Sequence, residues 1–521
     1  MKRYMKKYLS FTLLVVSIVG FVSCISGVDD IDTKPVLESI TNSDIVAMPI
    51  AQSLRIEYQS SAKCRVEIDD EATSWISCGS IDDSADCAVL NLEKNVDGAT
   101  RYSFVRIVLE DDPDTFIQYS ITQYADDSCK IYYTTTDGEI FVPEYENKFT
   151  NGFGAAIKSH SYDQIGVIEF YGDVSTVGNF QERYPMTHRL KSIYLPEGLS
   201  SISDYAFSEC KELEDAWLPE TLQSIGTEAF YRCNKLSTIA IPNSVTEVNS
   251  RVFAECESLV EVAIPDGVES IGDGLFSMCP NITTVKLPNS ITTIPMLCFS
   301  GCAKLEAVEI PELVVTIGEY AFSKCASLKS IELPAAVKAI RWNAFSECVA
   351  LESVLFPSAL EHLGSNAFCD CVSLTSVELP DSITKVENSV FAGCEQLVNF
   401  NIPSGLKYIS DFVFHGCVGP EELVIPDNIE QIGSQVFKEC RGIQRVTIGS
   451  AVRKMSAGVF YDCENLSEIY CMPATPPEVG DQLLTNCSAE LKIYVPRASV
   501  DSYKAAKGWS KYSGKIVGYD F

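Results

Sequence analysis

The run Leu190-Lys191-Ser192-Ile193-Tyr194-Leu195-Pro196, with Ala206-Phe207 and Cys210 downstream of it, decides how this chain folds. On a strand, Ile193 and Leu195 point to one face and Ser192 and Tyr194 to the other. Pro196 has no N–H, cannot sit inside a hydrogen-bonded ladder, and ends the strand. Leu199 and Ile202 re-enter the core on the return path, and Ala206, Phe207 and Cys210 bring the chain inward through a short helical turn. The unit then repeats. Phe207 recurs every 23 residues up to Phe460, twelve times without a slip, and a cysteine follows three residues after each, from Cys210 to Cys463. A proline keeps the register from Pro196 to Pro426, and Gly449 takes its place in the next copy. Three ladders in phase over this length mean a solenoid, whose coils bury their phenylalanines only by stacking on neighbours.

Twenty-three residues leave no room for a long helix, so each coil should be strand and turn. The unit Leu-x-x-Ile-x-Leu-Pro joined to Ile-x-x-x-Ala-Phe-x-x-Cys resembles the treponemal, or BspA-like, leucine-rich repeat. The resemblance implies about twelve 23-residue coils with a parallel β-sheet and short helical turns; with the immunoglobulin-like β-sandwich expected ahead of them, the chain should be mainly β. It also implies kinship with bacterial surface and secreted proteins implicated in adhesion to host matrix and to other bacteria. The repeats should occupy residues 190–470. Residues 126–189 should cap them, with residues 166–189, opening on Gly166-Val167-Ile168-Glu169-Phe170, as a degenerate first coil. Residues 471–521, with Ile493-Tyr494-Val495-Pro496 and Gly508-Trp509, should close the other end, because an open coil would expose a sheet edge. Pro420 stands where the other repeats carry Leu or Ile, so a bend or weak point is expected near Cys417–Pro426.

The front of the chain reads differently. Lys2, Arg3, Lys6 and Lys7 precede an apolar stretch from Leu9 to Val22, shorter than the ~20 residues of a membrane span. Residues 1–23 are therefore expected to be a leader. Phe21-Val22-Ser23-Cys24 resembles a bacterial lipobox, which implies lipidation at Cys24 and an outer-membrane, cell-surface location. Asp29-Asp30, in the linker 24–34, is similar to the surface-export signal of Bacteroidetes lipoproteins. From 35 to 125 the pattern is short period-2 alternation, as in Leu54-Arg55-Ile56-Glu57-Tyr58 and Ile117-Gln118-Tyr119-Ser120-Ile121, with Trp75-Ile76 as core. The order Trp75-Ile76, Leu92-Glu93-Lys94-Asn95, Arg101, Ile121-Thr122-Gln123 resembles the BACON domain. That resemblance implies an immunoglobulin-like module serving as a spacer or touching glycan.

Composition narrows the chemistry. The formal charge is −31 from 40 basic and 71 acidic residues, and cleavage before Cys24 removes four positive charges and no acids, leaving −35. That argues against nucleic acid, which needs clustered Lys and Arg. Four scattered histidines (His160, His188, His362, His415) leave little for a His-based catalytic or zinc site. Twelve of the 21 cysteines are one repeat position, and no Cys-x-x-Cys pair stands among them. They read as buried thiols donating to backbone carbonyls rather than as metal ligands. Cys298 falls in the core slot usually held by Ala, and Cys369 is a candidate exposed thiol. Neither an enzyme nor a cofactor is expected, because every plausible nucleophile or acid follows the coil phase.

Binding should use the outward strand positions. One outward column runs through Tyr194, Trp217, Lys286, Glu309, Glu332 and Glu378. Tyr194 and Trp217 could stack on a sugar or anchor a protein contact, or they could shield the first coils beneath the cap. The three glutamates offer a face for a basic partner or weak Ca²⁺, or a solvated acidic surface. The expected partner is an extracellular protein or glycoprotein, with mucin or glycan capture for carbohydrate uptake as the alternative.

Overall fold

The computed structural model describes residues 37–39, 41, 43–49, 51–82, 84–96, 98–140, 153–178 and 187–521; the expected leader, linker and Cys24 lie outside them. The chain divides into two compact units. One holds the described residues of Met1–Ile45, Gln52–Glu93 and Ser103–Ile121, and the other holds Val46–Ala51, Lys94–Tyr102 and Thr122–Phe521.

The first eight strands are β1 (Leu37–Ser39), β2 (Asp44–Ala47), β3 (Gln52–Ser60), β4 (Cys64–Ile68), β5 (Ile76–Asp82), β6 (Cys87–Leu92), β7 (Arg101–Leu109) and β8 (Phe116–Gln123). They form two four-stranded sheets, ordered β1-β3-β6-β5 and β2-β8-β7-β4. The alternation written in the sequence becomes one buried face: Ser103, Val105 and Ile107 of β7 are buried while Tyr102, Phe104 and Arg106 face water. Trp75 and Ile76 are both core.

In the second unit, β9 (Lys130–Thr135), β10 (Ile157–Asp163) and β11 (Ile165–Phe170) form an antiparallel sheet ordered β10-β11-β9. Its β9 pairs antiparallel with Leu190–Tyr194, the front strand of the first coil. Of the expected degenerate coil 166–189, the opening Gly166–Phe170 is thus one arm of a hairpin. Gly166 is glycine because a Cβ there would lie 2.1 Å from the Tyr133 ring. The first strand laid in coil fashion is Thr176–Val177, parallel to Ser201–Ile202.

Most coils carry two short strands, front and return, paired in parallel 23 residues apart: Ser330↔Ser353 on the front, Ser201↔Ser224 and Ile340↔Leu363 on the return. Between them stacks the phenylalanine column, with neighbouring ring centroids 5.1–5.9 Å apart and planes within 23°. A single buried cluster runs from Ile131 to Ile516. At the far end, strand Lys492–Pro496, helix Val500–Ala505 and strand Ile516–Tyr519 close the core over buried Tyr503 and Trp509. The Trp509 indole N–H donates to the Pro477 carbonyl at 2.8 Å.

The inward turns are not helical, which corrects the expected short helical turns. Residues two before and two after the phenylalanine take positive φ: Tyr205 and Glu209 both sit at 61° around Phe207, and Tyr320 and Lys324 at 56° and 63° around Phe322. Alternate backbone N–H groups then point along the stack, while those between them, of Ala206, Ser208 and Cys210, donate back three residues along the chain. Tyr205, Phe207 and Glu209 donate to Thr227, Ala229 and Tyr231 at 2.8, 2.7 and 2.6 Å. A left-handed non-glycine residue costs ~1–2 kcal/mol, and pairing buried backbone groups between coils offsets it.

A further ladder lies four residues before each phenylalanine, where glycine alternates with larger residues: Gly226, Asn249, Gly272, Pro295, Gly318, Arg341, Gly364, Glu387. At the glycines the chain rides against the coil before it. A Cβ would stand 2.4 Å from Asp204 N at Gly226 and 2.7 Å from Ile294 O at Gly318. The next position is Ser410, not glycine, and there both sheets are interrupted. Front strands Asn399–Phe400 and Glu422–Ile425 belong to different sheets, as do return strands Lys385–Val386 and Tyr408–Ile409. The break brackets Pro420.

Candidate binding surface

Front strands turn every second residue outward, so the expected column is a real surface, but its first member is not on it. Tyr194 is 4% exposed. Its strand pairs with β9, which places Tyr132 opposite it (ring centroids 6.0 Å), and Ile165 joins the same buried cluster. The phenol bonds Asp126, and burial pushes its pKa upward. Tyr194 therefore packs against Tyr132 of the neighbouring strand β9 and shields the first coil, and what remains exposed of it lines the cleft beside Trp217.

Trp217, one coil on, is partly exposed. The next coil departs from the front ladder: Thr238 makes an isolated bridge to Glu261, and residues 239–241 are not strand. A cleft of about 280 Å³ opens there within the second unit, with Trp217, Leu218, Pro219, Ala240 and Pro242 in its wall. At its rim the Lys94 ammonium donates to Glu197 at 3.0 Å. An indole beside prolines and alanine, with a paired charge at the edge, is the mixture of apolar wall and few polar groups that ligand sites use.

Lys286, Glu309, Glu332 and Glu378 are all exposed farther along. Lys286 pairs with Asp266 at 3.2 Å. The glutamates stand on separate coils with Leu355, 70% exposed, between Glu332 and Glu378. They share a face without converging. Among the described residues no group of three or more His, Cys, Asp or Glu could hold a metal ion.

A family profile described as the BspA type leucine-rich repeat region, with six copies, matches residues 181–306, 292–421 and 361–492, more than half of the chain. The chain belongs to the BspA-type leucine-rich repeat family. Among solved structures, the BspA-type coil of this chain is similar to a leucine-rich repeat protein from Bacteroides ovatus. That likeness has 24% identity and a TM-score of 0.51, and covers 74% of this chain and 98% of that one. A leucine-rich cell-surface protein from Faecalibacterium prausnitzii matches at 26% identity and a TM-score of 0.40, over 66% of this chain and 93% of that one. No curated protein matches the sequence.

The repeat cysteines of this BspA-type chain are structural. Every described cysteine is a free thiol. From Cys233 on, each ladder Sγ donates to the carbonyl of the phenylalanine 26 residues earlier, as Cys279 does to Phe253 at 2.9 Å and Cys371 to Phe345 at 3.2 Å. Burial drives their pKa upward, to about 12 at Cys348, so they are neither nucleophiles nor ligands. Cys298 is fully buried. Cys369 is half-buried rather than exposed, and its thiol, beside the Asp370 carboxylate, is pushed up to about 12, chiefly by burial.

The sequence reading passed over one cluster on the return face. Glu387 accepts from Lys385, from His362 Nε2 at 3.1 Å, and from the Ser365 amide and hydroxyl at 3.1 and 3.0 Å. These bonds, the one from Lys385 foremost, lower its pKa to about 2. The signal was available: Glu387 and Ser410 are the one adjacent pair in the four-before-phenylalanine ladder with no glycine between them.

Proposed function

We propose that this BspA-type chain is a non-enzymatic surface binding protein that holds an extracellular protein or glycoprotein on the front face of its solenoid, centred on Trp217. Family membership supports the coarse role. The Trp217 cleft carries the placement: an indole, among the residue types that dominate interface energetics, is left partly exposed where the strand ladder lapses, beside Pro219 and Pro242. The acidic column from Glu309 to Glu378 would then orient a basic partner by long-range attraction rather than by tight contact. Lipidation at Cys24 would tether the chain to the outer membrane, with the BACON-like first unit as spacer. Among the described residues no helix is long and apolar enough to cross a membrane. The test is capture of purified host-matrix proteins and mucin-type glycoproteins by the full chain, with Trp217→Ala beside it. The variant should lose about tenfold or more in affinity, as removal of an aromatic anchor does. Unchanged binding by the variant, or no binding by either, refutes the placement.

A further inference from the structure

The return-sheet break between Lys385–Val386 and Tyr408–Ile409 makes a site. In the four-before-phenylalanine position the backbone N–H normally donates to the return strand of the coil before. Gly364 does so to Ile340 at 2.8 Å, Glu387 to Leu363 at 2.9 Å, and Gly433 to Ile409 at 2.8 Å. At Ser410 it is the side-chain hydroxyl that reaches the Val386 carbonyl, at 2.5 Å. On the front sheet the Asn401 side-chain amide accepts from Leu379 N at 2.7 Å and donates to Leu379 O at 2.8 Å, while Ser376 and Val377 still pair with Asn399 and Phe400. The front ladder lapses at the next junction, between Phe400 and Glu422. The turn side stays closed: Ser389, Phe391 and Gly393 donate to Asp411, Val413 and His415 at 2.9, 2.9 and 2.8 Å. With Ser410 standing in the slot that the alternation gives to glycine, the return strands Lys385–Val386 and Tyr408–Ile409 do not pair, while the turns beyond them stay bonded.

On the return face the break leaves a cleft of about 550 Å³, inside the ~300–1,000 Å³ range of small-ligand sites. Its wall is a ring and a set of polar groups: Tyr408, 43% exposed, with Ser365, Thr384, Asn388 and the Lys385–Glu387 pair. Hydroxyls and an amide favour a polyhydroxylated ligand. Lys385 and Glu387 neutralise one another at contact distance, so the lining favours no net charge on the occupant. The exposed tyrosine offers a flat face for C–H groups. We propose that this cleft binds a neutral oligosaccharide of two or three sugar units, with Tyr408 as the stacking platform and Asn388, Ser365 and Thr384 as hydrogen-bonding partners. The site is separate from the Trp217 cleft and does not depend on it.

The test is the full chain on an array of immobilised neutral and acidic glycans, followed by calorimetric titration with the best-bound neutral oligosaccharide free in solution. Competition by the free sugar separates recognition of the glycan from recognition of a carrier protein. Tyr408→Ala should weaken binding about tenfold or more, whereas Tyr408→Phe, which keeps the ring, should stay within about threefold. Ser410→Gly restores the glycine alternation, lets the backbone take the Val386 carbonyl, and should close the cleft and abolish binding while the protein stays folded. Trp217→Ala should leave sugar binding unchanged, so failure here and failure of the front-face reading are told apart. Binding of no neutral glycan, binding confined to acidic glycans, or equal binding by Tyr408→Ala and the parent chain overturns the proposal.

Discussion

Phe345→Ala tests whether the phenylalanine column holds the stack together. Phe345 is 0% exposed and lies between Phe322 and Phe368, each 5.1 Å away with planes tilted by 3° and 5°. Truncating a buried phenylalanine costs ~3–5 kcal/mol, and each aromatic pair adds ~0.5–1.5 kcal/mol beyond area. With two pairs lost, about 5 kcal/mol is expected. Phe460 ends the column with one ladder partner, Phe437 at 5.6 Å, so Phe460→Ala should cost ~1 kcal/mol less. A solenoid is close to a one-dimensional array of neighbour interfaces, so the damage should be local. Amide hydrogen exchange read by peptide mass should show coils 322–368 opening about a thousandfold more often, with the cap around Trp509 much less affected. A cost under ~2 kcal/mol, or protection lost evenly from first coil to last, would show that the rings fill space without coupling the coils.

Two further outcomes follow from the same packing. At pH 8 iodoacetamide should label Cys78, which is exposed, ahead of half-buried Cys129, and should reach the ladder thiols only after unfolding. Native ladder labelling at the Cys78 rate would contradict the buried-thiol account. Because the folded state keeps those thiols protonated while the unfolded chain ionises them near pH ~8.5, stability is fully present below that pH and falls above it, by up to ~1.4 kcal/mol per thiol per pH unit. Urea midpoints between pH 7 and 11 would show it, and a flat profile would refute it. Gly318→Ala would place a Cβ 2.7 Å from the Ile294 carbonyl oxygen and should cost ~1–3 kcal/mol in urea unfolding. A neutral substitution would mean the coils can separate freely there.

Much of this molecule is readable from its sequence because each coil restates the same local pattern. Ile193, Leu195, Leu199, Ile202 and Phe207 are buried, and the proline ends the front strand through Phe400-Asn401-Ile402-Pro403 as it does at Pro196. The thiol partner followed as well, since a small buried donor in a stack finds the carbonyl of the coil beside it. The turns were misread because their left-handed residues, such as Tyr205 and Glu228, carry none of the glycine signal that usually marks positive φ. Inter-coil hydrogen bonds select that conformation, and local propensity does not show them. Gly166–Phe170 was misread for a related reason: its alternation suits a coil strand and a hairpin arm equally, and the pairing with β9 decides.

The sequence by itself determined the solenoid, its 23-residue period, the buried face of every coil and the harmless chemistry of the ladder cysteines, all of which rest on periodicity and local sterics. Only the tertiary structure decided which outward residues are available. Tyr194 and Trp217 occupy equivalent positions in successive coils and line the same cleft, yet the first is almost wholly buried against Tyr132 of β9 and the second is partly exposed. The return strands beside Glu387 and Ser410 part where Ser410 stands in the slot that the alternation gives to glycine. Exposure is a property of what packs next to a residue, and in a stack that neighbour is 23 residues away or in another element altogether.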